Sequence, residues 1–361
     1  MDRENDRIVT RPVTIYLSLC SLYLSCGYLL LYNEVIYAIR LQEGATPKTS
    51  LNRAGRSIYL LFFVGIIAIS FSSIFVRWST ADVAVIAMYR LFLTNLLMLP
   101  FVWKYRHEMM RLSLRQWGLL LASGVMLALH FLLWMGSLRL TSVASSTVIL
   151  ALEPILILAG SVWLFKAKIN RMMIIGMGIA LFGSIVIGAG DFQLAGTALQ
   201  GDILSLLGTI AVAVHMLLGQ FLRAGLSAFS YNFWVFFVAA CTLAVYNLIM
   251  GHPFGGYAAS EWGIFLLLAI VPTIFGHYLF NWLLQYMNAT TVSMGVLGEP
   301  VFSSLLAWML LGESLSALQM SAGVVIIFGV WIFIRYGKTK PQPIPADAPI
   351  AGKGPVEPTT V

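Results

Sequence analysis

The chain has 361 residues, of which 59% are apolar and 10% charged, with a formal net charge of +7. A soluble domain carries about a quarter charged residues, so this chain cannot cover its own surface with polar groups, and a bilayer is its natural solvent. The basic residues gather in short connections between apolar runs. That pattern marks membrane topology, and the absence of a basic stripe with interleaved aromatics excludes nucleic acid as a partner.

Residues 1–56 read as an N-terminal extension. Its stretch 13–39 is apolar enough for an extra helix, but Ser18, Ser21, Ser25, Asn33 and Glu34 interrupt it. Arg3, Arg7 and Arg11 precede it and Arg40 and Lys48 follow, so a clean span would translocate one basic cluster. A peripheral helix, a secretory signal lacking a small-residue cleavage site, and upstream sequence from a wrong start codon stay open, and we assign the extension no function.

A spanning helix needs about 20 apolar residues. Ten stretches meet that length, near 57–76, 83–103, 116–138, 142–165, 172–190, 200–222, 229–250, 262–287, 290–311 and 318–336. Short connections make consecutive helices antiparallel neighbours. The expected fold is therefore an all-α membrane protein with ten transmembrane helices. Connections 104–115 and 166–171, the segment after 335, and Arg40, Lys48, Arg53 and Arg56 before the first helix are basic, whereas the other side has little beyond Arg77 and Arg139. The positive-inside rule then places both ends of the ten-helix body in the cytoplasm, in the cell membrane. Residues 337–361 are Pro-rich with few bulky apolar side chains and read as a disordered tail. Cys20, Cys26 and Cys241 sit in apolar runs with neither disulfide nor metal spacing, and read as small packing residues.

One motif occurs twice. The run 148-VILALEPILIL-158 places Glu153 and Pro154 in an aliphatic helix, and 296-VLGEPVFSSLL-306 repeats the pair as Glu299 and Pro300. Upstream lie 130-HFLLW-134 and 277-HYLFNW-282, and each Glu-Pro follows a small polar run, 141-TSVASSTV-148 or 288-NATTVSM-294. A Gly-rich helix follows each. We read two five-helix halves, 57–190 and 191–336. Five is odd, so the halves enter the membrane from opposite sides. Inverted repeats of this kind are a hallmark of secondary transporters, whose solute site lies near the midplane between repeats. His130 is expected towards the outer end of helix three and His277 towards the inner end of helix eight.

The sequence resembles the drug/metabolite transporter superfamily, in its EamA-type ten-helix branch, over nearly all of 57–336. The carriers are the paired repeats, 89-YRLFLT-94, both Glu-Pro ends and 311-LGE-313. The first half departs at 165-FKAKIN-170, where a Gly-Glu is expected, and this weighs against an essential Glu313. The resemblance implies transport of small metabolites and, by family habit, export. It does not name the solute.

Candidate site residues follow from cost. A charge at the bilayer centre costs about 2.5–3.5 kcal/mol on insertion scales, so Glu153 and Glu299 must face a wet cavity, pair with a cation or carry a proton. Pro154 and Pro300 disfavour helical geometry just before them and free nearby carbonyls, which suits broken helices lining a cavity. Arg90 reads either as a clamp for a solute carboxylate or phosphate or as a lasting partner of Glu153 or of helix carbonyl ends. His130 and His277 are candidates for proton or solute binding, with neutral packing as the alternative. Trp134, Asn281 and Trp282 follow the histidines by about one turn and would share their face. His215 reads as structural, and Asp202 as an N-terminal cap of helix six. No nucleotide loop, nucleophile elbow or zinc spacing occurs, so we expect no cofactor, no metal and no enzyme chemistry.

The reading is a permease for a small solute, working by alternating access, an exporter with proton coupling as one drive. The lipid bilayer and a small-molecule solute are its expected partners, and a homodimer stays open. Rival readings are a sensor or assembly protein that binds without moving its ligand, and a membrane-embedded enzyme.

Overall fold

The computed structural model describes residues 49–188, 196–312 and 314–336. Residues 1–48, with the 13–39 stretch, Cys20 and Cys26, the tail 337–361 and Glu313 lie outside the described residues.

Ten helical stretches run in order. They are α1 (Thr49–Trp78), α2 (Val83–Met110), α3 (Leu114–Ser137), α4 (Val143–Phe165), α5 (Arg171–Gly188), α6 (Gly196–Leu222), α7 (Ala228–Met250), α8 (Ala259–Leu283), α9 (Ala289–Leu311) and α10 (Ala317–Tyr336). The chain divides into two compact units, Met1–Leu61 and Phe62–Val361. The start of α1 belongs to the first unit, and the rest of α1 with all later helices to the second. Nine of the stretches contain spans long and apolar enough to cross a membrane, and the shorter apolar helix Arg171–Ile187 is the remaining one. No strand occurs among the described residues. Among the described residues this is an all-α membrane protein whose ten helices form two inverted sets of five.

Local chemistry starts these helices. Asp82 caps α2 by accepting from the Ala84 N–H at 2.8 Å, and Ser113 with Gln116 forms a capping box on α3. Ser142, Ser227 and Asn288 cap α4, α7 and α9 in the same way. Such caps satisfy N–H groups that the first turn leaves free.

Two helices are broken. In α4, Val143–Leu150 (α4a) ends at a two-residue turn before Glu153–Phe165 (α4b). In α9, Ala289–Val296 (α9a) and Glu299–Leu311 (α9b) repeat the arrangement. The offset that carries Glu153 onto Glu299 also carries every one of these boundaries onto its counterpart. Each proline stands in the first turn of the second half-helix, where a missing N–H costs least. α4a packs on α9b and α4b on α9a, so the two helices run antiparallel and cross at their breaks.

The fifth helices of the two sets, α5 and α10, meet backbone to backbone. A Cβ on Gly329 would stand 2.5 Å from the Ala180 nitrogen and 2.6 Å from the Gly176 carbonyl oxygen. Around this contact an apolar cluster gathers Met173, Met177, Ala180, Ile326 and Phe333 with Ala151 and Leu297 from the breaks.

The copies differ where α4 and α9 end. Gly312 closes α9 at φ 71°, while Lys166 closes α4 at φ 51°, the one non-glycine residue at positive φ among those described. A left-handed non-glycine residue costs about 1–2 kcal/mol. Lys166→Gly should therefore raise stability by about 0.5–1 kcal/mol after the unfolded-chain entropy of glycine is counted, read as a higher unfolding midpoint in detergent. Helix α8 also departs from its counterpart. Ala269–Tyr278 is π-helical with Pro272 inside, and the Thr273 hydroxyl donates to the Leu268 carbonyl at 2.7 Å. The regular periodicity of its apolar residues does not announce this; only Pro272 signals a disturbed ladder.

Candidate functional site

The crossing of α4 and α9 brings the two acidic residues together. Glu153 and Glu299 are both buried, and they lie within electrostatic reach of each other. Each stands in the first turn of a half-helix, where backbone N–H dipoles favour a carboxylate by about 0.3–1 kcal/mol, up to about 2 when buried. That falls short of the cost of a bare charge at the centre of a bilayer. Neither oxygen of Glu299 has a hydrogen-bond partner among the described residues. Two carboxyls in each other's field, with no ion pair to either among the described residues, can chemically share a proton or meet a cationic group.

A second cluster surrounds Arg90 of α2. Its Nε donates to the Thr273 hydroxyl at 3.0 Å and one terminal nitrogen donates to the Ser72 hydroxyl at 3.2 Å. The guanidinium lies over the Phe131 ring, 4.2 Å from its centroid, and the other terminal nitrogen is buried without a hydrogen-bond partner among the described residues. No hydrogen bond or ion pair joins Arg90 to Glu153 or Glu299 among the described residues. The pairing with Glu153 considered from sequence is therefore not formed: hydroxyls and a ring face hold the cation instead.

The histidines correct a second expectation. They do not sit towards opposite ends. The rings of His130 and His277 are 6.2 Å apart, and Phe131 stands edge-on to His277 at 5.0 Å. Both lie in the field of Arg90. His130 donates through Nδ1 to the Gly208 carbonyl at 3.0 Å and stacks on Trp134 at 6.0 Å. Trp134 is buried, its indole nitrogen without a hydrogen-bond partner among the described residues. His277 sits on the π-helical stretch of α8 that also presents Thr273 to Arg90, so the irregular backbone of α8 shapes this cluster.

The other candidates are placed less centrally. Asn281 is buried and donates to the Asn232 side-chain oxygen at 2.8 Å. Trp282 packs on Tyr286 at 4.5 Å, and no ring contact joins it to His277 among the described residues. His215 is buried and bonded to the Ser123 hydroxyl at 2.9 Å, which fits its structural reading. Asp202 overturns its reading as a cap. Helix α6 begins at Gly196, so Asp202 lies inside it, buried, and accepts from the Ser145 hydroxyl of α4a at 2.8 Å. Gly201 suggests a helix start in sequence; the helix instead extends a further turn before it. Ser145→Ala would leave Asp202 without that donor and should cost about 1–3 kcal/mol in unfolding free energy.

Arg223 and Glu261 are among the groups that escape sequence reasoning. Arg223 at the end of α6 is buried, donating to the Asn281 carbonyl at 3.0 Å and to the Gln285 side chain at 3.0 Å. Glu261 at the start of α8 is also buried and accepts from Thr80 and Ser79. Both sit at helix ends, where charge in sequence reads as solvated.

Comparisons with known proteins agree with this architecture. A solved crystal structure superposes with a TM-score of 0.64 at 17% identity, over 77% of this chain and 96% of the other, which bears on the fold alone. Two uncharacterized transporters of Archaeoglobus fulgidus are similar. One is 26% identical, over 57% of this chain and 72% of the relative, and the other 24% identical, over 73% and 91%. The uncharacterized transporter YetK of Bacillus subtilis is 25% identical over 57% of this chain and 64% of its own length. The profile of the EamA-like transporter family matches residues 56–189 and again 199–335, so the chain belongs to the EamA-like transporter family, within the drug/metabolite transporter superfamily.

Proposed function

We propose that this membrane transporter moves a small solute by alternating access, with Glu153 and Glu299 as the central groups that exchange protons or bind a cationic part of the solute. The observation that carries the reading is the meeting of two equivalent carboxyls at the crossing of the broken helices, without a hydrogen-bonded cation among the described residues. A site made of equivalent parts from two inverted halves can be offered to either membrane face when the halves rock. Arg90, His130, His277 and Trp134 form the adjoining wall, and Asn281 and Trp282 support α8 beside it. Residues 57–190 and 191–336 act as the moving halves. Both ends of the ten-helix body face the cytoplasm of the cell membrane, because the 104–115 and 166–171 connections are basic. Direction is outward, with proton entry as the drive.

The test is flux. Metabolite profiles of cells with and without the protein supply candidate solutes, and purified protein in proteoliposomes is then assayed for counterflow of each. Counterflow that accelerates with an opposing proton gradient supports the reading. Saturable binding without flux supports a sensor, and product without flux an enzyme.

A further inference from the structure

Two carboxylates outside the central site bind the opposite copy at opposite membrane faces. Glu261 belongs to the second family match and grips the connection between α1 and α2 in the first. One of its oxygens accepts from the Thr80 N–H at 2.7 Å and the Thr80 hydroxyl at 2.8 Å, and the other accepts from the Ser79 hydroxyl. Glu108 belongs to the first match and grips the start of α7 in the second. One oxygen accepts from the Ser227 N–H at 2.6 Å; the other accepts from the hydroxyls of Ser227 at 2.5 Å and Ser230 at 2.6 Å.

The chemistry is the same at both ends: one carboxylate takes one backbone N–H and two hydroxyls, from the turn after the first helix of a copy or, for Ser230, from the first turn of the helix that follows. Helix alternation puts the turn after α1 on one face and the turn after α6 on the other. Glu108 therefore lies on the basic face, with the 104–115 connection, and Glu261 on the opposite face. An arginine backs each. Arg139 donates to the carbonyls of Ser79 at 2.8 Å and Ala81 at 3.2 Å. Arg223 donates to the carbonyl of Leu226, in the turn that Glu108 grips, and lies within electrostatic reach of Glu108.

We infer that Glu108 and Glu261 are paired gate residues, each clasping one copy to the other at its own face, so that a face opens only when its clasp lets go. Charge-assisted hydrogen bonds to a backbone N–H are strong and directional yet reversible. They suit a contact that must form and break in every cycle better than an apolar seam would. The inference rests on the alternating-access reading above.

Side-specific labelling tests it. In the full chain with its three cysteines changed to serine, a single reporter is placed at Ser137→Cys, at the α3 end nearest the Glu261 clasp, or at Ser161→Cys, on α4b towards the basic face; both positions are buried. Vesicles of either orientation are treated with an impermeant maleimide. Glu261→Ala should raise labelling of Ser137→Cys about tenfold from its own face, equivalent to about 1.4 kcal/mol of lost bias, with no rise at Ser161→Cys. Glu108→Ala should do the converse. Removing the donors instead, as Ser79→Ala with Thr80→Val or as Ser227→Ala with Ser230→Ala, should reproduce each pattern and covers a glutamate variant that fails to fold. Equal rises at both reporters, or no rise at either, would overturn the inference. Wild-type flux judges the alternating-access reading separately: flux with unchanged labelling overturns the clasps alone, while one-sided labelling without flux overturns the cycle they are meant to gate.

Discussion

Glu299→Gln is expected to lower solute flux by about a hundredfold or more, the scale of removing a positioned proton-transfer group, while expression, insertion and unfolding midpoint stay at wild-type values. Glu153→Gln should behave alike. The unchanged stability separates a transport role from a structural one. A carboxylate locked to a cation or to hydrogen-bond donors would strand its partners when neutralised, at about 1–3 kcal/mol. Glu299 has no such partner among the described residues, so nothing is stranded, and a neutral isostere should be tolerated or mildly stabilising. The residual flux of either variant should also lose its response to a proton gradient. Wild-type flux in both variants, or large destabilisation with flux lost only in proportion, would count against the assignment.

The second large effect concerns assembly. Gly329→Val is expected to prevent α5 and α10 from docking. The first added carbon already meets backbone atoms of Gly176 and Ala180 below 3 Å, and backbone cannot swing aside as a side chain can. Overpacking in a tight site costs about 1–3 kcal/mol and occasionally more; two further methyl carbons in a backbone-to-backbone contact belong at or above the top of that range. Between membrane helices there is no hydrophobic gain to offset it, since lipid tails are as apolar as the core and close approach of small residues is what holds such pairs. Gly178→Val is the matched control, because a Cβ there meets nothing within 4 Å. Monodispersity after detergent extraction should fall for Gly329→Val and hold for Gly178→Val.

Much of the fold is legible in the sequence because membranes impose simple rules. Helix number follows from run length, and the repeat from the Glu-Pro pairs, whose offset recurs in the boundaries of α4 and α9. Pro154 and Pro300 announce the breaks, since a proline after an acidic residue in an aliphatic helix has few other uses. The surroundings of the site are less legible. Arg90 finds Ser72 and Thr273, ordinary hydroxyls that do not stand out in sequence, and its hold on Thr273 depends on a π-helical stretch that periodicity does not reveal. Asp202 misleads because a Gly-Asp pair resembles a helix start, whereas tertiary contact with Ser145 keeps the carboxylate inside the helix. The clasps of Glu108 and Glu261 join residues more than a hundred positions apart. Only the folded chain places them together.

Chemical access to the two central carboxyls in a bilayer decides whether they share a wet chamber. Purified wild-type protein in proteoliposomes is treated with a water-soluble carbodiimide and an amine, and modified residues are mapped by mass spectrometry with and without a transported solute. Glu153 and Glu299 should both be modified, and the solute should suppress both together. Labelling confined to a lipid-soluble reagent, or labelling of both carboxyls that no transported solute diminishes, would refute a shared solute chamber.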